Sequence, residues 1–219
     1  GLDIEESSVR ITSYYGHGYA YYSMGSDCKW NADILEANKE NGCLSFENPG
    51  TGTTSGSYWN ATVVIGADGF EADGIIFENS FNQYVSKKAA DDVIIPLSGA
   101  KEGSVPRADM KAGDLTVQNK EYVERAAALA IMNNFKNINF NNCSFIGRQD
   151  TLYGGVEVRA AFYGCDIYGG TDYIFGGMDA VFAKCNLVFN TNDQTDKGKK
   201  DDVGYITAAQ TASGRGLLL

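Results

Sequence analysis

Phe140-Asn-Asn-Cys143-Ser-Phe145 returns as Phe162-Tyr-Gly-Cys165-Asp-Ile167, and again as Phe182-Ala-Lys-Cys185-Asn-Leu187. The steps are 22 and 20 residues, and the repeated unit is Phe-x-x-Cys-x-apolar. A fixed period of this size in a β-rich chain marks a solenoid, in which each coil hides its apolar face only by stacking on the next. The three cysteines then form a buried ladder of small apolar side chains. Seven residues beyond each cysteine stand Asp150, Asp172 and Asn192. In-register stacking puts Asp150 and Asp172 at equivalent places on neighbouring coils, about 4.8 Å apart along the stack. Carboxylates that close titrate as a coupled pair and share one proton near neutrality. One can serve as nucleophile or base and the other as general acid, while the Gln149 amide offers donors to a developing oxyanion. The competing reading is structural, because Asp and Asn commonly bond the backbone of solenoid turns.

Composition agrees with many short strands. The 219 residues are 43% hydrophobic, with 26 Gly, 3 Pro, 13 Tyr and 11 Phe, which suits strands and tight turns better than a helix bundle. One elongated domain over residues 1–219 is expected. A net charge of −10 argues against a nucleic-acid partner, whose phosphates demand a basic face. No apolar run reaches the ~18 residues of a membrane helix, so no membrane partner is expected. No metal or cofactor is implied, since there is no Cys-x-x-Cys pair and only one histidine, His17. Five cysteines cannot all pair within the chain, although Cys28 and Cys43 could form a disulfide.

Along the chain, Val9–Ser13, Ala61–Ile65, Phe70–Asn79 and Phe135–Phe140 read as strands, and Ala32–Lys39 as a short helix. The polar stretch from Asn82 to Glu121 is too long for a coil turn and should leave the stack as a loop with some helix. Glu124-Arg-Ala-Ala-Ala-Leu-Ala-Ile131 re-enters it with small residues suited to an inward face. Gly204–Ala208 reads as the next strand. Gly216-Leu-Leu-Leu219 reads as a strand beginning, without the polar cap that closes a solenoid, so the chain is expected to be part of a longer protein with further domains or coils.

Gly147-Arg-Gln-Asp-Thr-Leu-Tyr153 and Gly170-Thr-Asp-Tyr-Ile-Phe-Gly176 resemble the two central motifs of the pectin methylesterases, Gly-Tyr-Gln-Asp-Thr-Leu-Tyr and Gly-Thr-Val-Asp-Phe-Ile-Phe-Gly. Ala180-Val-Phe-x-x-Cys185 and Ile206-Thr-Ala-Ala-Gln210 look like further segments of that family, and the resemblance runs from about Val63 to the end. It implies an all-β, right-handed parallel β-helix, in keeping with the repeat and the right-handed crossover rule. It also implies that Asp172 attacks the methyl-ester carbonyl of homogalacturonan. Asp150 would protonate the departing methanol and then activate water, with Gln149 holding the oxyanion. Arg125, Arg148 and Tyr173 are expected to face the polysaccharide substrate. A cell-wall polymer as substrate implies secretion.

Three departures from the family pattern stand out. Arg125-Ala-Ala-Ala-Leu129 aligns with Gln-Ala-Val-Ala-Leu, replacing an oxyanion-hole glutamine by arginine, which could donate with charge assistance or instead pair with Glu124 or Asp150. Arg148 stands where the family has tyrosine, and could bind a free galacturonate carboxylate or lie solvated on the rim. The Leu-Gly-Arg-Pro-Trp motif whose arginine orients the nucleophile does not occur in these residues, and Arg215 in Ser213-Gly-Arg-Gly216 aligns with an earlier segment. The expectation is that the chain stops before the arginine coil.

Other chemistries are weaker. Carboxylates about 5 Å apart also fit a retaining glycosidase, and a pectin lyase or a pectin-binding module without turnover are further alternatives. Gly16-His-Gly18 resembles a polygalacturonase motif, but His17 precedes the aspartates instead of following them, so a loop histidine is expected. No serine has glycine at both −2 and +2, as a nucleophile elbow needs.

Overall fold

A computed structural model describes residues 9–14, 29–31, 61–81, 83–91, 94–96, 111–119, 125–190 and 204–219. His17, Cys28, Cys43, Glu124, Asn192 and the helix expected at Ala32–Lys39 lie outside the described residues.

In chain order, β1 (Val9–Ser13) and β2 (Lys29–Asn31) precede a first coil of β3 (Val63–Ile65), β4 (Glu71–Asp73) and β5 (Ile75–Asn79). Helix α1 (Lys87–Asp91), β6 (Ile94–Pro96) and a 3-10 turn at Thr116–Asn119 follow. The second coil is β7 (Leu129–Ile131), β8 (Ile138–Asn141) and β9 (Ser144–Ile146), and the third is β10 (Leu152–Gly154), β11 (Arg159–Tyr163) and β12 (Asp166–Gly169). The fourth is β13 (Thr171–Gly176), β14 (Asp179–Ala183) and β15 (Asn186–Phe189), with β16 (Tyr205–Ala209) and β17 (Leu217–Leu218) above it.

Each coil contributes one strand to each of three parallel sheets. The first sheet runs β3-β7-β10-β13-β16, the second β4-β8-β11-β14-β17 and the third β1-β5-β9-β12-β15. The fold is a right-handed parallel β-helix, as the family resemblance implies and in keeping with the repeat. β2 and β6 form a separate antiparallel pair, so the expected excursion leaves the stack, with a short helix, α1, among its described residues.

The repeat fixes the register. Phe140, Phe162 and Phe182 are ladder partners, as are Phe145, Ile167 and Leu187. Phe162 lies face to face with Phe140 at 4.9 Å and with Phe182 at 4.5 Å between ring centroids. A second row meets this one edge-on, Phe145 standing 5.2 Å from Phe140 and 5.6 Å from Phe162. Buried aromatic pairs of this kind add about 0.5–1.5 kcal/mol each beyond their area. Cys143 and Cys165 are fully buried and Cys185 half-buried, and all three are free thiols. Contact with Cys143 and then burial hold the Cys165 thiol well above its ordinary range, and burial raises Cys185. The ladder behaves as apolar filling.

A fourth copy of the repeat lies one coil below and is disguised. Ala72 pairs with Phe140 and Phe77 with Phe145, so Ala72-Asp-Gly-Ile75-Ile-Phe77 is the same unit with Ala and Ile in place of Phe and Cys. The ring missing at Ala72 is supplied by Phe70, 5.7 Å from Phe140. The strand predicted over Phe70–Asn79 is therefore two strands, broken at Gly74. Gly74, Asn142, Gly164 and Lys184 precede this column in successive coils, and all have positive φ, between 52° and 67°. One left-handed residue per coil makes the corner between the second and third sheets.

Phe162→Ala should lower stability by about 3–5 kcal/mol, read as a lower urea midpoint with an unchanged m-value.

Candidate active site

The chain bends where the third sheet hands over to the first. Gln149 and Thr171 form an isolated parallel bridge, and the ladder resumes at Leu152 and Ile174. Both pairs are offset by 22 residues, so Asp150 and Asp172 occupy equivalent positions on adjacent coils. The Asp150 N–H donates to Thr171 O at 3.1 Å, tying the two bends together. Both aspartates are left-handed, with φ of 58° and 48°, a conformation Asp tolerates better than most side chains. On the upper side β13 carries an irregularity between Thr171 and Ile174, where Thr171 faces Tyr205 and Ile174 faces Thr207. The extra residue falls at Asp172–Tyr173. A bulge of this kind re-aims a side chain that a regular strand would direct elsewhere. Asp172 is half-buried and Asp150 is 5% exposed.

Two glycines make the bends possible. A Cβ on Gly147 would lie 2.6 Å from Thr151 Oγ1, and one on Gly169 would lie 2.0 Å from Tyr173 Cβ. Each glycine stands three residues before its aspartate, and each clashing residue directly follows that aspartate. The chain folds back on itself, the residue after the aspartate turns inward, and only glycine leaves room for it. Thr151 is fully buried and donates from Oγ1 to Tyr168 O at 2.9 Å. Tyr173 makes the same inward turn one coil higher.

Three of the residues singled out from sequence sit around the bends. Gln149 is half-buried beside Asp150. The Ala126 N–H donates to Gln149 O at 3.2 Å, the pattern by which Asp150 meets the partner of Gln149 above. Arg125 therefore stands directly below Gln149 on the second coil, half-buried. Arg148 is close in sequence but is 3% exposed. Burial brings its guanidinium down to about 10. Arg148 is thus not solvated on a rim. Tyr173, at 2% exposure, packs in the hydrophobic core among Leu152, Ile174 and their neighbours, and burial raises its phenol.

The pectinesterase family model matches residues 103–215, which contain both bends. The chain belongs to the pectinesterase family. It is 43% identical over 76 residues to "Probable pectinesterase/pectinesterase inhibitor 25" of Arabidopsis thaliana, a match covering 35% of this chain and 12% of that protein. The fold is similar to that of a pectin methylesterase from Yersinia enterocolitica, at a TM-score of 0.55 and 24% identity, covering 94% of this chain and 47% of that one. It is also similar to a pectin methylesterase solved in complex with a hexasaccharide, at a TM-score of 0.56 and 21% identity, over 95% of this chain and 45% of that one. The chain thus spans less than half the length of the solved pectin methylesterases that it matches.

Against the pectinesterase pattern, Arg215 is accounted for elsewhere. Its Nη1 meets Glu157 Oε2 at 2.6 Å and its Nε lies 3.7 Å from Asp179 Oδ2. Glu157 and Asp179 follow the far ends of β10 and β13, so Arg215 secures the corner opposite the aspartates. Among the described residues, no group of His, Cys, Asp and Glu could hold a metal ion, and no helix is long and apolar enough to cross a membrane.

Two features of the site escape a reading centred on the carboxylates. The first is the glycine three residues before each aspartate, visible in sequence as Gly147 and Gly169 in the same 22-residue step. The second is an aromatic pair. Tyr153 and Phe175, each three residues beyond its aspartate, are ladder partners with ring centroids 5.0 Å apart. Both are half-buried on the outward face of the first sheet.

Gly169→Ala should destabilise the protein by about 1–3 kcal/mol through overpacking. Gly66→Ala, whose Cβ would find only Phe135 at 4.0 Å, should stay within about 0.5 kcal/mol. Thermal midpoints of the two variants check the contrast.

Proposed function

We propose that the protein, at full length, hydrolyses methyl esters of homogalacturonan to pectate and methanol. One observation carries the proposal: two left-handed aspartates at equivalent positions on adjacent coils, inside the segment that matches the pectinesterase family. The solved relative bound to a hexasaccharide supports an oligomeric sugar chain as ligand.

In this reading an oxygen of the Asp172 carboxylate attacks the ester carbonyl carbon, whose π electrons move to its oxygen. The tetrahedral intermediate collapses by breaking the bond to the methoxy oxygen, which takes a proton from Asp150 and leaves as methanol. The acyl-enzyme is an anhydride. Asp150, now a carboxylate, accepts a proton from water as that water attacks, and Asp172 departs as carboxylate. Gln149 and, directly below it, Arg125 supply donors to the oxyanion. Tyr153 and Phe175 offer an apolar surface for the flat face of a sugar ring. No cofactor enters the scheme. A cell-wall polymer as substrate places the protein outside the cell.

Coils stacked about 4.8 Å apart also suit a retaining glycosidase, but ester hydrolysis is the chemistry of the matching family. The discriminating assay incubates full-length protein with highly methylated pectin and measures methanol and new reducing ends separately. Methanol release is expected, reduced by about 10³-fold or more in Asp172→Asn with an unchanged far-UV spectrum. Reducing ends without methanol would establish glycosidic cleavage instead. Pectin binding with neither product would make the protein a binding module.

A further inference from the structure

The hydrogen-bond ladder of the third sheet breaks at one carbonyl beside the site. In this sheet each carbonyl that faces the coil above takes the N–H that follows its partner there, as Cys143 O takes Asp166 N–H and Gly169 O takes Asn190 N–H at 2.8 Å. By the same register Gly147 O would take the N–H of Gly170. That N–H turns instead to Arg148 O at 2.7 Å, and the Thr171 N–H joins it at 3.3 Å. The bend that presents Asp150 has diverted the ladder donor from a buried glycine, and a buried carbonyl without a donor costs about 1–3 kcal/mol.

Asn190 replaces the lost donor. Its Nδ2 donates to Gly147 O at 2.9 Å and to Gln83 Oε1 at 3.1 Å. One residue thereby bonds both glycines that stand three positions before an aspartate, Gly169 through its backbone and Gly147 through its side chain. Gln83 is itself buried, and its carbonyl accepts from Gln118 Nε2. The amide of Asn190 is thus oriented by the segment that leaves the stack after β5.

We infer that Asn190, oriented by Gln83, is a positioning residue that holds the Asp150 bend at a fixed spacing from the Asp172 bend; its catalytic consequence rests on the ester-hydrolysis reading above. Asn190 bonds two coils at once, Gly169 through its backbone N–H and Gly147 through its amide, so it ties the height of one glycine to that of the other, and each glycine is three residues from its carboxylate. Besides Asn190, the Arg148 carbonyl and the Asp150 N–H tie this bend to the coil above. An error of about 1 Å in the placement of a reacting group can cost about 10²-fold in rate.

The test compares full-length wild type, Asn190→Ala and Gln83→Leu by amide hydrogen exchange and by methanol release. In Asn190→Ala the N–H groups of Asp150, Gly170 and Thr171 should exchange at least about tenfold faster, while that of Phe162 keeps its wild-type rate. The same variant should lose about 10–100-fold in kcat with KM within about twofold. Gln83→Leu, which lies outside the stack, should move both readouts in the same direction by a smaller factor, and decides the matter if Asn190→Ala does not fold. Unchanged exchange at all three positions overturns the inference whatever the assay shows. Faster exchange with an unchanged kcat overturns it as well, leaving only a structural bond, and a raised KM at constant kcat would place Asn190 on the substrate instead. Wild type that releases no methanol overturns the esterase reading alone, and the exchange rates still decide the clamp.

Discussion

Backbone hydrogen bonding between successive coils, repeated in three sheets, forces residues one period apart to lie on top of one another. The spacing is set by the ladder, about 4.8 Å, and the side chains inside must accept it. Phenylalanine does so well: rings 4.5 and 4.9 Å apart stack face to face along Phe140, Phe162 and Phe182. Such a stack resists sliding, because a shift of one residue would turn every inward ring outward. The register that packs the core is also the register that makes Asp150 and Asp172 neighbours. Nothing else in the chain has to bring the two carboxylates together.

Bringing them together does not aim them. A regular parallel strand would alternate side chains between core and surface, and the row of the two aspartates would simply continue a sheet. The bends change that. At Gln149 to Thr151 and at Thr171 to Tyr173 the chain adopts a left-handed residue, interrupts the ladder and sends the next side chain, Thr151 or Tyr173, into space left by a glycine. The cost is spread over several compensations. Asp is a tolerant left-handed residue, the Thr151 hydroxyl finds Tyr168 O, and Arg148 O accepts two N–H groups from above. A strained segment beside a packed core is the usual setting for functional groups.

Much of this was legible in the residues, because period is a property of sequence. Phe-x-x-Cys-x-apolar announced the coils, and counting from the cysteines found both aspartates. The lowest coil was hidden because Ala72 and Ile75 keep the volume and polarity of the core without keeping the letters, with Phe70 contributing the ring from outside the repeat. The burial of Tyr173 is not legible from alternation along the strand, because a left-handed aspartate with a bulge breaks alternation. Arg148 was expected on the surface or at a ligand, since a charged residue gives no sign in sequence that a fold will bury it. Asn190 could not have been found by period at all. Its partners are 43 and 107 residues away, and its role arises from a ladder bond that the bend redirects.

The position below Gln149 bears on the proposed mechanism, because the resembling family motif has glutamine where this chain has Arg125. A neutral amide there would contribute a dipole to an oxyanion, whereas Arg125 contributes a full charge. In a half-buried setting that charge acts on the ground state as well as the transition state, since a negative Asp172 or a free galacturonate carboxylate attracts it too. Only the part of the interaction that grows as the carbonyl oxygen becomes negative accelerates the reaction. Geometry decides how large that part is. The guanidinium is planar and long, with donors at the end of three methylenes, and its backbone lies one coil below Gln149 rather than level with it. In the proposed mechanism, a donor approaching from below would suit an oxyanion that projects toward the second coil better than the Asp172 carboxylate two coils above. In that proposal, height along the stack, the same quantity that pairs the aspartates, would separate assistance to the transition state from neutralisation of the nucleophile.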